Sequence, residues 1–123
     1  MTTWITVCDT CKRTGWEDTG MEKTDGEALA ELVEAAAAGL GDVKTRRLSC
    51  TMGCDRACNI TVQSSDKINY SLGTFEATTE HAEAIVEYAA LHAASETGQV
   101  PYRTWPQGVK GHFVSRHQPL PDE

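Results

Sequence analysis

The sequence of 123 residues predicts an α/β fold with a mixed β-sheet and an irregular C-terminal tail. Short runs of β-branched residues alternate with two alanine-rich helical segments, in the order β-α-β-β-β-α. All four prolines lie after residue 100, which indicates that regular structure ends near that point. With 40% hydrophobic residues, a chain of this length can bury a core without a metal or disulfides.

The first half of the chain predicts a strand and then a helix. Residues 3–8 are rich in β-branched and aromatic side chains, which predicts a strand that ends at Cys8. Residues 9–23 are polar and predict a long loop. Thr24 and Glu27 have the spacing of a capping box, so a helix is expected to begin there. The expected apolar face of this helix consists of Leu29, Leu32, Val33, Ala36 and Leu40.

Three further strands and a second helix are expected after Gly39 and Gly41, which end the first helix. Residues 43–49 predict a second strand that leads directly into Cys50. Residues 60–63 and 68–72 alternate in polarity across a short polar turn, which predicts an antiparallel hairpin. A second helix is expected from Thr78 or Thr79 to about Thr97, with its buried face formed by Ala82, Ile85, Val86 and Ala89.

This order of elements is expected of a thioredoxin-like fold. The first β-α-β unit requires a right-handed crossover between parallel strands, and the hairpin then adds antiparallel strands to the same sheet. The tail begins at Val100, and Trp105 and Phe113 are its expected anchors on the domain.

Composition excludes several classes of function. The net charge is −7 and the basic residues are scattered, so a nucleic-acid partner is not expected. No apolar run approaches the roughly 20 residues that span a bilayer, so no membrane partner is expected either. The N-terminus lacks the pattern of a secretory signal, which predicts a cytoplasmic protein.

Five cysteines in two clusters are the main functional signal. Cys8 and Cys11 form a C-x-x-C motif, and Cys50, Cys54 and Cys58 follow at spacings of four. Clustered thiols in a reducing compartment more often bind metal than form disulfides. Because parallel strands bring their carboxyl ends to one edge of a sheet, both clusters are expected to converge on one site.

Three kinds of chemistry compete for this site. The preferred one is a [2Fe–2S] cluster held by Cys8, Cys11, Cys50 and Cys54, with Cys58 as a neighbour or substitute ligand. The alternative is zinc or another soft metal ion, held by a binding module or metallochaperone. A thiol–disulfide redox role for the first pair comes third, because a polar loop separates Cys11 from the following helix.

Other roles for these residues stay open. The three later cysteines have the spacing of one helix face, where they would be buried small hydrophobic residues. The basic residues Lys12, Arg13 and Arg56 adjoin the cysteines, where they would either be solvated or offset the charge of a cluster. Four histidines are expected at surfaces or interfaces: His81, His92, His112 and His117. Tyr102 and Trp105 are expected to cover the core.

The segment around Cys50 and Cys54 resembles the thioredoxin-like [2Fe–2S] ferredoxins and the related small subunit of respiratory NADH dehydrogenase. In those proteins two cysteines at this spacing follow the second strand, and a proline stands where this chain has Cys58. The N-terminal ligands of the ferredoxins lie much farther apart than Cys8 and Cys11. The fourth ligand is therefore the one for which the correspondence between the ferredoxins and this chain is least direct.

A second resemblance covers nearly the whole chain and is to a bacterial family of small predicted metal-binding proteins. The matching segments are 7–11, the triple-cysteine segment, 70–75 and 100–106. Together the resemblances imply a thioredoxin-like [2Fe–2S] ferredoxin domain over 1–99 and a C-terminal extension over 100–123 packed on the same domain. They imply an electron carrier rather than an enzyme, with an unidentified redox partner protein, and leave a homodimer open.

Overall fold

A computed structural model describes residues 2–13, 15–20, 22–49 and 58–119 of the chain. Five strands form one mixed sheet in the order β2-β1-β3-β4-β5. The strands are β1 Thr3–Cys8, β2 Val43–Leu48, β3 Ile60–Gln63, β4 Asn69–Leu72 and β5 Phe113–His117. The helices are α1 Asp25–Ala37 and α2 Thr79–Ala94. The α/β prediction is confirmed, and the topology agrees with a thioredoxin-like fold.

The parallel pair at one side of the sheet is formed by β1 and β2. The two strands pair in register from Thr3 with Val43 to Cys8 with Leu48, and α1 lies between them in the chain. This is the predicted β-α-β crossover. Its consequence is that the carboxyl ends of both strands lie side by side at the same edge of the sheet.

The antiparallel strands follow on the other side of β1. Strand β3 pairs with β1, and β4 then pairs with β3 as the predicted hairpin. The hairpin prediction is confirmed because Ile60 lies opposite Leu72 and Val62 lies opposite Tyr70. Since β3 runs against β1, its first residues lie beside the last residues of β1.

The two helices contact each other, and each contacts β1, so together they form one layer that packs on the sheet. The predicted face of α2 is fully or nearly fully buried at Ala82, Ile85, Val86 and Ala89. On α1, Leu29 and Val33 are buried as expected. Leu40 is 43% exposed, since the helix ends at Ala37 and the periodicity stops there. In the part of the chain that the structure describes, no helix is long and apolar enough to cross a membrane.

Helix α1 begins as the sequence predicts. Thr24 is its N-cap, with Oγ1 accepting a hydrogen bond from the Glu27 amide at 3.1 Å. Helix α2 likewise begins after its N-cap, Thr78, which accepts from the His81 amide.

Helix α2 ends earlier than predicted, at Ala94 instead of about Thr97. The buried Lys67 ammonium donates to the backbone carbonyls of His92 and Ala93 at 3.1 and 2.9 Å. The Ile68 amide donates to the Thr97 carbonyl at 2.8 Å. The Lys67 ammonium thus provides hydrogen-bond donors for the last helix carbonyls, which a further helical turn would otherwise provide. A cation is also favourable at a helix C-terminus.

The C-terminal segment is more regular than the sequence indicates. Phe113–His117 forms β5 and pairs with β4, with an irregularity between Ser71 and Leu72. Trp105 anchors the segment as predicted, because its indole donates to the Val100 carbonyl at 2.7 Å and its ring packs on Tyr88. Tyr102 does not cover the core and is 62% exposed.

Candidate functional site

The first cysteine pair lies at the carboxyl end of β1. The thiols of Cys8 and Cys11 are hydrogen-bonded to each other. They are only 1% and 3% exposed. The C-x-x-C segment therefore brings two soft donors together in a nearly water-free position.

The first turn of α1 holds this segment in place through backbone contacts. The Gly26 amide donates to the Cys11 carbonyl at 2.9 Å, and the Thr24 hydroxyl donates to the Asp9 carbonyl. A Cβ atom on Gly26 would lie 2.0 Å from the Cys8 carbonyl oxygen. Only glycine permits this approach, since the atom that it would meet belongs to the backbone.

The cysteine pair lies close to the start of α1, contrary to the expectation from the sequence. The polar loop after Cys11 does not separate the pair from α1 in space, since it folds back and places the start of the helix against residues 8–11. The Arg13 amide also donates to the Asp25 carboxylate at 2.6 Å. Distance along the chain therefore gives no reason to dismiss a dithiol role.

Cys58 lies next to the same pair, two residues before β3 begins. It is fully buried, and its backbone exchanges two hydrogen bonds with Phe75 at 3.2 and 3.1 Å. The neighbouring Asn59 accepts from the Cys8 amide at 3.3 Å through its backbone carbonyl. Its side-chain amide donates to Cys11 Sγ at 3.2 Å. Three of the five cysteines thus share one buried region.

The environment keeps the thiols of Cys11 and Cys58 protonated at neutral pH. Burial raises the pKa of Cys11 to about 12, and the hydrogen bond that its thiol donates to Cys8 acts in the same direction. Burial also raises the pKa of Cys58 to about 12, and the nearby Asp25 carboxylate adds to this effect. A reactive dithiol needs a lowered pKa, so the electrostatics oppose the third chemical role even though the helix lies close.

Cys50 and Cys54, two of the predicted ligands, lie outside the described residues. The chain on either side of them is anchored at the first pair. The Asp9 amide donates to the Leu48 carbonyl at 3.3 Å, and the Ser49 hydroxyl lies 3.3 Å from the Asp9 carboxylate. Cys58, at the other end of the interval, lies in the same region as Cys8 and Cys11.

The described residues alone do not complete a metal site. Among them, no three His, Cys, Asp or Glu side chains form a group that could hold a metal ion. The donor chemistry of Cys8 and Cys11 fits one half of a tetrathiolate set, because both are soft, adjacent and shielded from water.

Two of the three basic residues that adjoin the cysteines in the sequence contact other side chains. The Arg13 guanidinium pairs with Glu76 at 3.1 Å, where both side chains are about half exposed. Its positive charge acts on Cys58 and opposes the effect of burial on that pKa. Lys12 lies over the Trp16 ring at 4.6 Å. Arg56 is outside the described part of the chain.

His92 differs most from the surface position expected of the histidines, whereas His117 lies at the surface as expected. His92 is fully buried, and both ring nitrogens are bonded, to the Thr3 hydroxyl at 2.8 Å and the Ile68 carbonyl at 2.6 Å. His81 and His112 are half-buried and pack around Phe75, with His112 stacked at 4.3 Å between ring centroids. His117 is exposed.

Sequence reasoning missed two residues that shape the site. Asn59 contacts the Cys11 sulfur, and its only signal in the sequence is its position directly after Cys58. Gly26 is the second residue of α1, where glycine has a cost relative to alanine, which is the better helix former. That cost is a signal that a close backbone approach requires glycine at this position.

The fold and the cysteines define a small mixed α/β protein with a buried thiol site beside its parallel strand pair. A family model described as "Protein of unknown function (DUF1636)" matches residues 5–119, so the chain belongs to this family. Neither a curated protein nor a solved structure gives a significant match. The resemblance to the ferredoxins and the expectation of a metal stay predictions.

Proposed function

We propose that this protein holds a [2Fe–2S] cluster through Cys8, Cys11, Cys50 and Cys54 and acts as an electron carrier. When bound, such a cluster accepts and releases one electron at a time. The polypeptide contributes thiolate ligands, a water-poor environment and hydrogen bonds to sulfur. In this proposal the chain carries out no substrate chemistry of its own.

One observation carries the proposal. Cys8 and Cys11 are buried and adjacent, and Ser49 lies against the same loop, one residue before Cys50. Residues 50–57 thus connect Ser49 and Cys58, which both lie close to the first cysteine pair. A segment of eight residues anchored at both of its ends limits the distance from Cys50 and Cys54 to the first two thiols.

Asn59 supports the proposal by its contact with sulfur. Its side-chain N–H group donates to Cys11 Sγ at 3.2 Å, deep in the protein. Hydrogen bonds to cluster sulfurs are one of the means by which proteins set reduction potentials. Asn59 would stabilise the additional negative charge of the reduced state.

The net charge of −7 suggests the kind of redox partner. An acidic surface attracts a basic one over a distance of about 10 Å at moderate salt. We therefore propose a partner protein with a basic docking surface, and a reducing compartment such as the cytoplasm, where the thiols stay available.

A zinc or other soft-metal binding module is the second candidate. The hydrogen bond between the two thiols favours it, since neighbouring thiols can both bind a single metal ion. Deep burial also suits a closed structural site. In this case the protein would store or deliver a divalent ion and would have no visible absorption.

The visible spectrum of anaerobically purified protein distinguishes the two. A [2Fe–2S] protein is expected to be red-brown, to bleach with dithionite and to contain acid-labile sulfide. A colourless protein with stoichiometric zinc, obtained after iron-supplemented anaerobic expression, would refute the electron-transfer proposal.

Cysteine variants test the ligand set. Cys8→Ala, Cys11→Ala, Cys50→Ala and Cys54→Ala should each lose the visible absorption, since each removes a ligand. Cys58→Ala is the matched control, because it also removes a buried thiol but should retain the spectrum. If Cys58→Ala loses the absorption and one of the other variants retains it, Cys58 would be assigned as the fourth ligand instead.

The contact from Asn59 gives a separate test by redox titration. Asn59→Ala should make the midpoint potential more negative, because the reduced state loses a stabilising hydrogen bond. Asn69→Ala is the control. Asn69 is half-buried, and its side chain accepts a hydrogen bond from the Ser64 amide instead of contacting a cysteine. An unchanged potential in Asn59→Ala would contradict the proposed effect of this hydrogen bond on the reduced state.

A further inference from the structure

An aromatic cleft lies between β4, β5 and residues 99–105, formed by residues that the proposed electron-transfer function does not use. Its cavity has a volume of about 510 Å³, within the usual range for small-molecule sites. The walls that matter here are four aromatic side chains and one cation: Tyr70, Tyr102, Trp105, Phe113 and Arg116.

The rings of the cleft are held in place before any ligand arrives. The Tyr70 hydroxyl accepts from the Val100 amide at 3.3 Å, and the Trp105 indole donates to the Val100 carbonyl at 2.7 Å. The centroid of the Trp105 ring lies 5.0 Å from that of Tyr102 and 6.1 Å from that of Phe113. A preorganised set of rings loses little conformational freedom on binding a planar molecule.

Parts of these rings face solvent. Tyr102 is 62% exposed and Phe113 is 44% exposed, although both are large apolar side chains. Large exposed aromatic side chains that gather around a cavity are typical of a binding site. Isolated exposed residues of this kind would need no explanation, but here they line one wall.

The charge at the cleft is opposite to that of the whole protein. Residues 100–119 contain Arg103, Lys110 and Arg116 and neither Asp nor Glu, whereas the net charge is −7. Arg116 lines the cleft and also an adjoining cavity of about 340 Å³. Lys110 Nζ lies 5.0 Å from the centroid of the Tyr102 ring. An anionic group is thus favoured at this position.

We infer that the aromatic cleft binds a planar aromatic molecule that carries an anionic group, either carboxylate or phosphate. The rings of Tyr102, Trp105 and Phe113 pack against its planar part. The Arg116 guanidinium pairs with the anion, for which both oxyanions offer a suitable geometry. This inference does not rest on the proposed cluster.

Two fluorescent dyes that differ by one anionic group test the inference on the full-length protein. The probes are 1-anilinonaphthalene-8-sulfonate and its neutral counterpart, N-phenyl-1-naphthylamine. Arg116→Gln should weaken binding of the anionic dye about tenfold, the effect of one charge-assisted hydrogen bond, and leave the neutral dye within about twofold. Tyr102→Ala should weaken both dyes about fivefold, since it removes an exposed stacking surface.

Arg103→Gln is the matched control, because it removes the same charge from an exposed arginine that does not line the cleft. It should leave both affinities unchanged. Circular dichroism and unfolding midpoints equal to those of the parent protein would show that each variant is folded.

Competition by 1-naphthoate and 1-naphthyl phosphate then distinguishes the two anions, and displacement of the dye by either supports the inference. The inference would be overturned if Arg116→Gln and Arg103→Gln bind the anionic dye equally. Failure of both naphthyl anions to compete would also overturn it.

Discussion

Cys11 shows how the surroundings of a single residue set its chemistry. Its thiol is 3% exposed, bonded to the thiol of Cys8 and contacted by the Asn59 amide. Burial raises its pKa to about 12, so the proton stays on sulfur in the metal-free protein at neutral pH. Metal binding would then have to displace this proton, as it does at other thiolate sites.

The same environment predicts slow alkylation of the metal-free protein. With iodoacetamide at pH 7.5, Cys11 and Cys58 should react roughly a thousandfold more slowly than an ordinary cysteine, because so little thiolate is present. Peptide mass spectrometry after timed quenching measures the rate at each site. The control is the same protein in guanidinium chloride, where both should react at the ordinary rate. Rapid alkylation of folded Cys11 would favour a dithiol redox role instead.

At the scale of elements, the first turn of α1 and the loop of residues 8–11 depend on each other. Gly26 lets the helix approach the Cys8 carbonyl, and its amide bonds to the Cys11 carbonyl. The N-cap residue Thr24 reaches the same loop through the Asp9 carbonyl. The helix therefore stabilises the position of the cysteine pair as well as covering the sheet.

Gly26→Ala tests this dependence. Alanine is the better helix former, but its Cβ would lie 2.0 Å from a backbone oxygen. We expect a net loss of about 2 kcal/mol in the free energy of unfolding, measured with denaturant at pH 7. Gly41→Ala is the control, as a Cβ there meets no atom within 4 Å, and it should change stability by less than about 0.5 kcal/mol. A Gly26→Ala variant as stable as the parent would contradict this account.

At the scale of the whole molecule, His92 joins three parts of the fold. It lies on α2, bonds to Thr3 on β1 and bonds to the Ile68 carbonyl just before β4. Burial lowers its pKa, and the nearby Lys67 ammonium acts in the same direction, while the bond to Ile68 opposes them. The neutral imidazole fits this position because it donates through one nitrogen and accepts through the other.

This arrangement makes stability depend on pH. Because the folded-state pKa is lowered, the unfolded chain binds the proton more readily. The contribution of His92 is therefore present in full above the unfolded-state pKa of about 6.5 and is lost as the pH falls through the lower folded-state pKa. Denaturant unfolding between pH 7.5 and pH 5 should show this decline.

Variants assign the decline to His92. His92→Gln should be less stable at pH 7.5 by about 1–3 kcal/mol and should show a smaller decline towards pH 5. His117→Gln is the control, since it removes an exposed histidine and should keep the decline of the parent protein. An equal decline in His92→Gln and the parent protein would exclude His92 as its source.

Much of the fold could be predicted because its signals are local. Thr24 and Glu27 mark the start of α1, the polar turn after residue 63 marks a hairpin, and the alternation of apolar residues marks each buried face. The end of α2 could not be predicted, because Lys67 reaches it from another element. Strand β5 was missed because its pairing with β4 depends on a partner more than 40 residues away.

The candidate site divides in the same way. The sequence by itself determined the parallel pairing of β1 with β2, and with it that Cys8 and the segment leading to Cys50 meet at one edge of the sheet. Only the tertiary structure decided that α1 packs on the first pair, that Cys58 and Asn59 join it, and that burial raises the thiol pKa values. The reason is physical: periodicity and capping act between near neighbours, whereas burial and sulfur contacts arise between residues distant in the chain.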